Sequence, residues 1–132
     1  MTAARALPAL LAVYAAASLL HFAHNAEYLA AYPNLPPSWS RAEVWLAWCV
    51  LTAVGALGYV RYRRGDRRLG LALLAIYSAF GLAGLLHYTR APLAHHTATM
   101  NVTIWAEAVA AALLLVNVVC VAATSKSLAA AR

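Results

Sequence analysis

Five histidines, His21, His24, His87, His95 and His96, and one carboxylate, Glu107, are the side chains of this sequence best suited to chemistry. Imidazole exchanges protons near neutral pH and ligates metals, and a carboxylate beside it completes an acid and a base. Spacing groups them further. At about 100 degrees per residue, His21, His24, Asn25 and Tyr28 fall on one face of a helix, with Glu27 to the side of His24. A later segment offers Asn101, Trp105 and Glu107, with Thr97, Thr99 and Thr103 nearby. Each residue also has a bland role. Glu107 and His21 can lock two helices together, Asn25 and Asn101 can be ordinary interhelical hydrogen bonds, and His95 and His96 can be solvated loop residues.

The elements that must position these residues follow from composition. The chain has 132 residues, 64% hydrophobic and 11% charged, with a mean hydropathy of +0.69. A water-soluble domain of this size cannot hide that much apolar surface. Apolar runs cover roughly 6–31, 42–62, 69–88 and 98–123, each near the length of about 20 residues that spans a bilayer as a helix. The runs are continuous and rich in Ala and Leu, which favours helices over the alternation of a membrane barrel. The expected fold is an all-α integral membrane protein, a four-transmembrane-helix bundle forming one domain over 1–132.

Basic residues set the expected orientation. Arg5, the cluster Arg61, Arg63, Arg64, Arg67 and Arg68, and the tail residues Lys126 and Arg132 share one end, against Arg41 and Arg90 at the other. The positive-inside rule places both termini in the cytoplasm and the His-rich connections outside it. The net charge of +6 and pI of 9.8 then reflect topology and lipid contact, not nucleic-acid binding. The first run ends in His-Asn-Glu instead of a small-residue cleavage site, so it reads as a span and not a signal peptide. Cys49 and Cys120 lie at different depths and imply no disulfide.

Two hairpins are expected, joined by the basic turn in which Gly65 and Asp66 supply the break. Leu19-Leu20-His21-Phe22 is faintly echoed by Leu85-Leu86-His87-Tyr88. Pro33, Pro36 and Pro37 exclude helix from the first outer connection and should make it a stiff cap. Ser40, followed three residues later by Glu43, predicts a capping box at the start of the second span. Tyr28, Tyr32, Trp39, Trp45 and Trp48 form an aromatic belt at the interface. Arg90 anchors that interface or pairs with Glu27.

A polar stripe facing lipid would cost several kcal/mol, so the stripe should face other helices or water. Glu107 lies about two turns inside its span, where it must be paired, protonated or functional. The leading expectation is a pocket for a lipophilic small molecule such as a sterol, isoprenoid or quinone, entered from the bilayer. There Glu107 and His21 would be the catalytic acid and base. Asn25 and Asn101 would orient a hydroxyl or carbonyl, and Trp45, Trp48, Trp105 and Tyr28 would pack the skeleton.

The order of a helix-end His21, the Pro36-Pro37-x-Trp39 loop, a second span with a basic turn, and a last span carrying Asn101 and Trp105 resembles the EXPERA group. That group includes sterol isomerases and the sigma-2 receptor. The resemblance implies a four-helix core, cytoplasmic termini and a lipid-accessible pocket. Asn25 stands where the isomerases have Glu four residues after the His, and Asn101 and Trp105 are four apart where theirs are three.

Two other classes remain open. His24, His87, His95 and His96 could ligate zinc, iron or copper, and His24 with His87 could be axial ligands to haem. Alternatively, Gly55, Gly58, Gly81 and Gly84 suit close packing in a homodimer or larger membrane complex, in which case the polar stripe faces outward from the chain. Phosphate-binding, Gly-x-Ser-x-Gly and His-Glu-x-x-His motifs are missing from the sequence.

Overall fold

A computed structural model describes the backbone of residues 2–130 and the side chains of residues 2–124. Arg132 and the side chain of Lys126 lie outside the described residues. Regular structure among the described residues is entirely helical: α1 (Ala3–Glu27), α2 (Arg41–Arg63), α3 (Arg67–Gly81), α4 (His87–Arg90) and α5 (Ala98–Ala130). Four stretches, Ala3–Glu27, Arg41–Arg63, Arg67–Arg90 and Ala98–Thr124, are long and apolar enough to cross a membrane.

Local chemistry explains most helix ends. Ser40 Oγ accepts from the Glu43 amide at 3.3 Å while Glu43 Oε2 accepts from the Ser40 amide at 2.7 Å, forming the expected capping box. Gly65 takes a φ of +95°, where a side chain is disfavoured, and turns α2 into α3. Asp66 caps α3 by accepting from the Leu69 amide. The first helix stops at Glu27 and not near residue 31, because the chain tightens into a 3-10 turn, Leu29–Ala31, ahead of Pro33. Asn34 follows at a φ of +56°, and its amide donates to the Arg90 carbonyl at 2.8 Å, tying the two connections at that end together.

The third span is broken. It leaves α-geometry at Gly81, runs as a 3-10 stretch over Leu82–Leu86, and resumes as α4. In the helix ring α1 packs on α5 and α2, while α3 packs on α2 and α5.

Near the basic turn the ring is filled by Leu7, Tyr14, Leu74, Tyr77, Leu114 and Val121, all buried. Glycines make the fit. A Cβ on Gly70 would lie 2.4 Å from the Tyr62 nitrogen, and one on Gly58 would lie 3.0 Å from the Leu74 nitrogen, so α2 and α3 meet backbone to backbone. Gly55 admits the Tyr77 ring and Gly81 admits Tyr14, whose hydroxyl donates to the Tyr77 carbonyl at 3.1 Å. Gly55, Gly58 and Gly81, which suit packing against partner chains by sequence, make these close contacts within this one.

Candidate functional site

At the opposite end, Asn25 follows His21 by one helical turn on α1, and its Nδ2 donates to His21 Nε2 at 2.9 Å. The neutral ring then carries its hydrogen on Nδ1. That atom and Asn25 Oδ1 are buried without hydrogen-bond partners. Glu107 comes across from α5 and places Oε2 at 3.7 Å from His21 Nε2, with both side chains 2% exposed. The buried Ser18 hydroxyl lies beside the same carboxylate. The broken third span borders this group: a Cβ on Gly84 would stand at ordinary contact, 3.4 Å from Glu107 Oε2 and 3.8 Å from His21 Nε2.

His87 connects this group to the surrounding rings. Its centroid is 5.5 Å from His21, 5.0 Å from Tyr32 and 6.2 Å from His96. Tyr32 is a core residue at 4% exposure, not part of an interfacial belt, and its hydroxyl is 2.9 Å from His24 Nδ1. Burial pushes the Tyr32 phenol up to about 12. His96 is buried, with Nδ1 donating to the Pro92 carbonyl at 3.1 Å, while His95 is exposed.

A cavity of about 280 Å³ opens over His21, Asn25 and Glu107. Phe22, Val44, Leu51 and Phe80 supply apolar wall, His87 borders it, and Trp39 and Arg90 stand among its lining residues. Trp39 and Phe80 are about half exposed, so the space opens to the outside of the bundle. The arrangement can hold an apolar molecule against one small polar floor, where a proton can pass among two carboxylate oxygens and an imidazole.

Of the expected site residues, His21, Asn25 and Glu107 come together, and His87 joins them. Asn101 is elsewhere. Its Oδ1 accepts from the Tyr88 hydroxyl at 2.8 Å, and its Nδ2 donates to the Leu93 and His96 carbonyls, so its amide holds the second connection in place. Trp105 stacks on Tyr88 and is 47% exposed. Trp45 and Trp48 pack edge to face at 6.0 Å outside the cavity lining, and Tyr28 leans on His24 with 56% of its surface exposed. Cys49 and Cys120 are both free and exposed. Glu27 pairs with Arg41, not Arg90.

The metal set does not assemble. Among the described residues no group of three or more His, Cys, Asp or Glu side chains is placed to hold a metal ion. His24 and His87 both pack against the Tyr32 ring, which occupies the place a planar group between them would need.

Val44, Ala47 and Leu51 also line the cavity, and nothing in the sequence marks them. They recur at intervals of three and four along α2, a helical face that looks the same as any lipid-facing one.

The fold and site together define a small helical protein with four stretches fit to span a membrane and an apolar cavity over a His-Asn-Glu floor. No family model, curated protein or solved structure matches the chain.

Proposed function

We propose that this is a multi-pass membrane protein, with cytoplasmic termini, whose cavity takes a lipophilic small molecule of the sterol, isoprenoid or quinone kind from the bilayer. The observation that carries the reading is the convergence of His21, Asn25 and Glu107 on the buried side of an otherwise apolar cavity. Burying such groups without a purpose costs roughly 1–3 kcal/mol for each unpaired one. His21 and Asn25 of the polar stripe also turn into the chain, where the reading as an accessory subunit required the stripe to turn out. Excess arginine at the turn joining α2 and α3 supports the orientation. The four spans and open pocket suit the EXPERA-like architecture.

In this reading Glu107 and His21 are the catalytic pair for an acid-base isomerisation. Protonated Glu107 gives its proton to one carbon of a double bond, and His21 Nε2, released from the Asn25 amide, takes a proton from the allylic carbon, so the double bond moves and no atom is gained or lost. Transfer from His21 back to Glu107, now 3.7 Å apart, restores the starting state.

The test is mass spectrometry of lipids retained through purification in mild detergent. Wild type should retain one lipophilic compound stoichiometrically. Ala47→Trp, which fills the cavity, should lose it, and Glu107→Gln should keep the fold and stop any conversion of that compound. Retention unaffected by Ala47→Trp would remove the cavity from the function.

A further inference from the structure

The charges around the cavity are unevenly matched. The chain has four carboxylates, and three are committed elsewhere: Glu27 to Arg41, Glu43 to the capping box, and Asp66 to the start of α3 and Arg61. The fourth, Glu107, lies on the cavity floor at 3.7 Å from His21. Arg90 lines the same cavity, is exposed, and makes a long contact of 3.5 Å from Nη1 to the Asn34 carbonyl. The cavity thus has a solvent-exposed cation at its open edge and a carboxyl group at its closed end.

The floor carries a second, independent mark. Asn25 engages His21 with one end of its amide and leaves the other end buried without a partner, and His21 Nδ1 is likewise buried and unpartnered. A hydroxyl, which both donates and accepts, is the smallest neutral group able to serve either atom. An anion on the floor has no hydrogen to donate to Asn25 Oδ1. Gly84 touches the floor and Arg90 stands six residues further along the 3-10 stretch and α4, a rise of roughly 10 Å.

We propose that the occupant is a single-chain anionic amphiphile whose carboxylate or phosphate sits at Arg90 and whose hydroxyl, about 10 Å away along the chain, reaches Asn25 and His21. This rests on the cavity being a lipophilic-ligand site, and it fixes the direction in which the ligand lies: anion at the rim, neutral polar group inside.

The test uses full-length protein in phosphate-free maltoside micelles and three probes: 10-hydroxydecanoate, decanoate and decan-1-ol, with decyl phosphate to compare the anion. Binding of 10-hydroxydecanoate should be at least tenfold tighter than that of either single-ended probe. Arg90→Gln should weaken both acids tenfold or more and leave decan-1-ol unchanged. Asn25→Leu should weaken 10-hydroxydecanoate and leave decanoate unchanged; Asn25→Asp, which keeps the shape, guards against a folding defect. Decyl phosphate binding better than decanoate identifies a phosphate head, and the reverse a carboxylate, either with the Arg90 dependence intact. Equal binding of the probes, or an Arg90 dependence that appears only in phospholipid nanodiscs, overturns the proposal, the latter because the anion then belongs to the bilayer. If Ala47→Trp still abolishes binding of all probes in that case, the cavity reading stands and only the anionic-head assignment falls.

Discussion

The two ends of the bundle are built from the same kind of apolar helix and differ in how closely their backbones approach. Toward the basic turn, Gly55, Gly58, Gly70 and Gly81 let helices close on one another and on Tyr14 and Tyr77, leaving a tightly packed core. At the histidine end the third span breaks into a 3-10 stretch, and the glycine there, Gly84, admits a carboxylate in place of a neighbouring backbone. The comparison teaches that small residues have opposite uses in one helix pair. They seal one end, and they open the other to polar groups and a cavity.

The largest contrast should come from truncating leucine at each end. Leu114→Ala, at a fully buried site, should cost about 2–5 kcal/mol. Leu51→Ala, beside existing empty space, should cost well under half of that. Thermal unfolding in one detergent compares them, and equal losses would mean the cavity end is packed as tightly as the other.

Adding one methyl sharpens the same point. Gly70→Ala should cost about 1–3 kcal/mol, at the upper end, because a backbone nitrogen cannot swing aside. Gly84→Ala meets only ordinary contact distances, so stability should change by less than about 1 kcal/mol, while retained lipid should fall. Comparable unfolding temperatures for the two variants would dissolve the distinction.

Tyr32 gives a pH signature at the histidine end. Its folded value of about 12 lies above the ordinary 10.0, so the stability it contributes is intact below pH 10 and is lost as pH rises toward 12. Tyr32→Phe should flatten that alkaline decline, measured by unfolding at stepped pH. Away from the cavity, Ser40→Ala removes half of a capping box at the surface and should cost about 1 kcal/mol in thermal unfolding.

Much of the fold was legible because it depends on near neighbours. The Ser40 to Glu43 box, the Gly65-Asp66 turn and the four apolar stretches are all written in residues a few positions apart. The candidate site was legible in part. Glu107 and His21 stood out because a polar group in an apolar run must find company, and they found each other. Asn101 looked equivalent to Asn25 in the sequence, yet it spends its amide on the second connection. Tyr32 looked interfacial and is buried against His24 and His87.

The sequence by itself determined that the chain makes helices of membrane-spanning length, where they are capped, and which end of the bundle is basic, because hydrogen bonding within a helix, hydropathy and charge act along the chain. Only the tertiary structure decided which faces meet. Helices α1 and α5 are apolar nearly all round, so their pattern carries little record of rotation about the axis. That rotation is fixed by steric fit between distant residues, Tyr77 into Gly55 and Glu107 over Gly84, and it is what assembles the cavity.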